Sequence, residues 1–114
     1  MRIAYLGLDE VNKGLVRHWA ARRGAGVEDV ALPGAAGLGP DVAVVLDLDH
    51  LPEPWRRDWV ERLAAGRPAL AHGYNLTDGQ AAALRRAGVT VVRRRLTAWH
   101  VSRWCRRWAG VLAG

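Results

Sequence analysis

Asp47, Asp49 and His50 follow directly on an unbroken apolar run, Val42-Ala43-Val44-Val45-Leu46, and Asp9-Glu10 follow a largely apolar run over residues 3–8. A third apolar run, residues 69–72, ends in His72. Carboxylates from separate segments that meet at one edge offer oxygen ligands to a divalent cation such as Mg2+, and histidines would also admit a transition metal. Three carboxylates in one crevice repel each other unless a cation or a base lies between them. The competing reading is structural: some of these residues are helix N-caps or solvent-facing loop residues.

Asp47-Leu48-Asp49 also admits a covalent chemistry. Neighbouring carboxylates divide into nucleophile and general acid when their surroundings split their pKa values. The triplet resembles the first motif of haloacid-dehalogenase-like phosphatases, which implies a small metal-dependent phosphohydrolase using Asp47 and Asp49. That family has a lysine further along the chain, and no lysine follows Asp49 here. No Gly-x-x-x-x-Gly-Lys-Ser/Thr phosphate loop occurs, and Gly7 and Gly14 do not build a dinucleotide fingerprint.

The elements that must position these groups follow from the hydrophobic pattern. An apolar run without alternation suits a strand buried on both faces, as in a parallel sheet covered by helices. Strands are expected over residues 3–8, 27–32, 42–47, 69–72 and 89–92. Between them the pattern predicts a helix over 11–23, with Val11, Leu15 and Trp19 four apart, ending at Gly24. A second helix is expected over 53–65, opened by Pro52 and Pro54, with Trp55, Trp59 and Leu63 on one face. Thr77-Asp78-Gly79-Gln80 fits a capping box for a third, which closes on Gly88, and Thr97 caps a last one. The last carries Val101, Trp104, Cys105, Trp108, Val111 and Leu112 on one face.

Strand alternating with helix implies an α/β fold with a five-stranded parallel sheet in flavodoxin-like order 2-1-3-4-5. In such sheets ligands bind beyond the carboxyl ends of the strands, where the acids stand. One connection is short. Residues 33–40 (Pro-Gly-Ala-Ala-Gly-Leu-Gly-Pro) must return along a strand and step across a neighbour, roughly 20 Å against a reach near ~26 Å. The second helix of the alternation is therefore missing or vestigial, and part of one sheet face is expected to be thinly covered.

Composition narrows the classes. Residues 1–114 are of a length for a single domain, and half of them are hydrophobic, which excludes a disordered chain. No segment approaches the ~20 apolar residues of a membrane span, and the apolar N-terminal stretch is too short for a signal peptide. One cysteine, Cys105, makes no internal disulfide and gives no zinc spacing, so a cytoplasmic setting is expected. The charge of +6 opens a nucleic-acid reading through Arg93-Arg94-Arg95 and the Trp/Arg-rich last helix. Trp104 and Trp108 share that helix's apolar face, so core packing accounts for them better, and Trp99 with Arg103 one turn on suits a cation–π pair.

The order of elements, with acids after strands one and three, resembles the receiver domain of bacterial response regulators from Arg2 to about Trp108. The resemblance implies that Asp9 and Glu10 hold a magnesium ion, with Asp47 as the phosphoacceptor and Asp49 as its alternate. Pro40-Asp41…Asp47 followed by Leu51-Pro52 is similar to the phrase around the family's acceptor, with one extra residue. Gly88 matches the glycine before the fifth strand, and Arg94 falls nearest the lysine that the family places after it. The departures are specific. His72 stands where receivers carry Ser or Thr, and Arg93-Arg94-Arg95 stand where they carry lysine and proline. An arginine fork is not a like-for-like replacement for a compact ammonium. The implied protein is a degenerate or pseudo-receiver, without productive phosphotransfer, that signals by protein–protein contact or self-association.

Overall fold

The computed structural model describes residues 2–30, 38, 39, 41–51 and 55–108. Five parallel strands form one sheet: β1 (Arg2–Leu6), β2 (Gly26–Asp29), β3 (Val42–Asp47), β4 (Ala69–His72) and β5 (Thr90–Val92). Their order is β2-β1-β3-β4-β5, as the sequence pattern predicts. Among the described residues four helices accompany them: α1 (Glu10–Ala21), α2 (Arg57–Ala64), α3 (Asp78–Arg86) and α4 (Ala98–Arg107), with a 3-10 turn, Leu48–His50, after β3. Among the described residues no helix stands between β2 and β3; residues 31–37 and 40, where the vestigial helix was expected, lie outside them. So do Pro52, Glu53 and Pro54 before α2, and Val111 and Leu112 beyond α4.

The two apolar faces of the sheet each carry their own core. On one, Ile3, Tyr5, Ala43, Val45, Leu70 and Val92 pack against Val16 and Ala20 of α1 and Val101, Trp104 and Cys105 of α4. On the other, Ala4, Leu6, Val44, Leu46 and Ala71 pack against Val60 and Ala64 of α2 and Leu84 of α3. β3 is buried along its whole length, which is why it is apolar without alternation.

The expected thin cover over one face does not appear among the described residues. Ala4, Leu6, Val42 and Val44 are fully buried, and Val30 and Leu38 pack against them. Arg67 pins the segment entering β3, donating to the carbonyls of Gly39 (2.9 Å) and Val42 (3.1 Å).

α1 also differs from expectation in its rotation. Its buried stripe is Asn12, Lys13, Val16 and Ala20, whereas Val11 is 76 % exposed and Leu15 and Trp19 lie at the flank. Two polar residues turn inward because each finds partners there. Lys13 Nζ donates to Glu10 Oε1 (2.7 Å) and to both oxygens of Asp29 (2.9 Å each), which ties α1 to the end of β2. Asn12 reaches the candidate site.

Candidate functional site

Register and alternation build the site. β3 pairs with β4 so that Asp47 lies beside His72, and β1 pairs with β3 so that Tyr5 lies beside Val45. Side chains two apart share a face, so Tyr5, Asp47 and His72 all point to the α1 and α4 side. β1 ends at Leu6 because Gly7 takes φ +146°, a conformation that favours glycine, and a Cβ there would stand 2.6 Å from the Cβ of Asp47. The chain then enters α1 through Asp9. Its Oδ1 accepts from the backbone N–H groups of Val11 (2.8 Å) and Asn12 (3.0 Å), an N-cap of the expected structural kind.

Asp47 is 1 % exposed, and both of its oxygens are engaged. Oδ2 accepts from the Tyr5 hydroxyl (2.7 Å) and from Asn12 Nδ2 (3.0 Å). Oδ1 lies 2.9 Å from His50 Nδ1 and 3.5 Å from His72 Nδ1. His72 is itself fixed, since its Nε2 donates to the carbonyl of Arg94 at 2.8 Å. The other ring nitrogen of His50, Nε2, stands 3.5 Å from Asp9 Oδ2.

Burial alone would raise the Asp47 pKa, but hydrogen bonds from His72, Asn12, His50 and Tyr5 outweigh it and hold the carboxyl far below the usual carboxylate range. The carboxylate acts in turn on its neighbours. It raises the His50 pKa directly, and raises that of His72 against an opposing burial effect. Burial and the Asp47 charge together keep the Tyr5 phenol protonated. The centre is therefore a buried anion surrounded by donors, whose charge favours the protonated form of both neighbouring imidazoles.

Asp9, Asp47 and His50 are the group, among the described residues, able to hold a metal ion, with ligand atoms all within 4.8 Å of one another. Two carboxylates and an imidazole suit a divalent ion that accepts mixed oxygen and nitrogen ligation better than one demanding oxygen alone. His50 turns one ring nitrogen to each carboxylate, so as an imidazolium it occupies a cation's place. A metal ion there requires the ligating nitrogen to give up its proton.

The other residues singled out in the sequence stand apart from this group. Glu10 is exposed and bonded to Lys13. Asp49 accepts from the backbone N–H of Tyr74 (2.6 Å), which ties the turn after β3 to the loop after β4. Arg94 contributes its carbonyl to His72, and its side chain is exposed. Arg93 donates to Asp78 Oδ1 and to the carbonyl of Leu76, 2.6 Å each. Sequence reasoning missed Tyr5 and Asn12. A tyrosine inside an aliphatic strand needs a partner for its hydroxyl, and that was the available signal.

The chain matches no family model and no curated protein sequence. It is similar in structure to a two-component response regulator from Clostridium difficile, with 12 % identity, a TM-score of 0.71, and coverage of 98 % of this chain and 95 % of that one. It is also similar to the receiver domain of a sensor histidine kinase from Pseudomonas aeruginosa PAO1, solved with a magnesium ion coordinated in its active site cleft. There the identity is 20 %, the TM-score 0.63, and coverage 96 % of this chain and 97 % of that one. A response regulator receiver domain from Rhodospirillum rubrum gives 14 %, 0.58, and coverage of 96 % and 91 %. The fold of this chain is thus that of receiver domains.

Proposed function

We propose that residues 1–114 form a single receiver-like module that signals through contact with a separate protein or a second copy of itself, and that Asp47 does not accept a phosphoryl group. One observation carries this reading: Asp47 is 1 % exposed with both oxygens engaged by Tyr5, Asn12, His50 and His72. A carboxylate nucleophile must present a lone pair to phosphorus. At Asp47 an attacking oxygen would first have to shed its donors. Protein contact is supported by the large exposed apolar side chains among the described residues. Leu8, Val11, Tyr74 and Trp99 all stand at the carboxyl rim of the sheet, in loops or first helical turns. No helix among the described residues is long and apolar enough to cross a membrane.

A phosphohydrolase using Asp47 and Asp49 is less well supported, because Asp49 is bonded to the Tyr74 N–H and stands outside the Asp9–Asp47–His50 group. Nucleic-acid binding by the last strand and helix is also less well supported. Arg93 is bonded to Asp78, and Arg103 and Arg107 lie over Trp99 and Trp108.

The test is beryllofluoride with magnesium, read by fluorine NMR. The expected outcome is no protein-bound fluoride signal. A stoichiometric signal that vanishes in Asp47→Asn would establish a working acceptor and end the proposal. A second reading rests on the Asp9–Asp47–His50 cluster, which favours a divalent ion with mixed ligation, magnesium being the weaker occupant. When bound, such an ion would neutralise the two carboxylates while His50 serves as a neutral ligand.

A further inference from the structure

On the face opposite α2 and α3, helices α1 and α4 lie side by side and leave a groove of about 340 Å³. Trp19 lines it from α1, Arg22 and Arg23 from the turn that follows, and Ser102, Cys105 and Arg106 from α4. Gly24, at φ +73°, turns the chain away after Arg23 and leaves that end open.

Three guanidinium groups, two from the turn after α1 and one from α4, border one concavity. All three are exposed, and among the described residues none of them is bonded to a carboxylate or carbonyl. Arg22 lies over the Trp19 ring, 5.0 Å from its centroid. Cys105 is 1 % exposed at the floor, and burial pushes its thiol up to about 11 against the opposing charge of Arg23. Basic residues in a last helical turn offset the helix dipole, which accounts for their sign. It does not account for three of them bordering one groove. The volume lies within the range of small-molecule pockets, and the lining is more polar than apolar, which suits an anion.

We propose that this groove binds a phosphomonoester, its oxyanion held by Arg23 and Arg106 and an attached ring packed beside Trp19 and Arg22. Guanidinium forks match phosphate oxygens in pairs, which a point charge does not. The groove's volume accommodates a phosphate with one small ring system and exceeds the needs of phosphate alone. The site is distant from Asp47 and independent of the signalling reading.

The test uses the full chain, titrated with 5′-AMP, inorganic phosphate and adenosine, read by tryptophan fluorescence and calorimetry. AMP is expected to bind most tightly, phosphate more weakly and adenosine not at all. Arg23→Gln and Arg106→Gln should each weaken AMP binding by about tenfold, while Arg85→Gln, in α3 on the opposite face, leaves it unchanged. Urea midpoints equal to the parent's would show that the variants fold. Absence of AMP and phosphate binding up to about 10 mM overturns the proposal. So does AMP affinity unchanged in the double variant. Tighter binding of a single-stranded oligonucleotide than of AMP, weakened by both substitutions, would assign these arginines to nucleic acid and overturn it equally.

Discussion

At the scale of single residues the molecule is organised around Asp47. One carboxylate collects Tyr5, Asn12, His50 and His72, so removing it leaves several buried donors unmatched. Asp47→Ala is expected to cost about 3–5 kcal/mol in urea unfolding. The pH dependence has a definite sign. His50 and His72 have pKa values raised above 6.5 in the fold, so the stability they add is complete below 6.5 and is lost as pH rises through the raised values. Asp47 is depressed below 3.8, so its contribution is present above that value and is lost as pH falls through the depressed one. The urea midpoint should therefore drop as pH rises above 6.5 and through the raised histidine values, and Asp47→Ala should flatten that drop. Asp47 and His72 were legible because each closes an apolar run. Tyr5 and Asn12 were not, because nothing in a one-dimensional pattern pairs a strand residue with one 42 positions away.

Among the elements, β3 and β4 match their expected bounds residue for residue, since continuous apolar runs have sharp polar ends. β1 and β2 stop earlier than expected: β1 is ended by the backbone of Gly7, a conformational event that hydrophobicity does not encode. α1 was misread by one position because Asn12 and Lys13 are polar yet buried, while Val11 is apolar yet exposed. The caps were readable from residue types. Thr77 Oγ1 accepts from Gln80 N (3.1 Å), and Gln80 Oε1 accepts from Thr77 N (2.9 Å). Thr97 shares the device with His100, whose Nδ1 accepts from Thr97 N at 3.1 Å. Burial, with the charges of Arg94 and His72, lowers the His100 pKa, which keeps that nitrogen available as an acceptor. Thr77→Ala is expected to cost about 1 kcal/mol. Faster amide exchange in the first turn of α3 than in α1 would accompany it.

For the whole molecule, one sheet separates two cores, and the exposed Leu8, Val11, Tyr74 and Trp99 stand at its carboxyl rim. Among the described residues no helix stands between β2 and β3, and the full burial of Ala4, Leu6, Val42 and Val44 was not anticipated. Arg67 reaches back across 25 and 28 residues to the carbonyls of Val42 and Gly39 at the entry to β3. Lys13 is the chain's only lysine, and its side chain is 8 % exposed between Glu10 and Asp29. A protease that cuts solely after lysine thus has one peptide bond to attack, and α1 must come away from β2 before that bond can enter an active site. Native protein should resist such digestion and yield a single pair of fragments as urea is raised, making cleavage a direct clock for the opening of the first helix. Digestion in buffer as fast as in urea would show that α1 is not held as described.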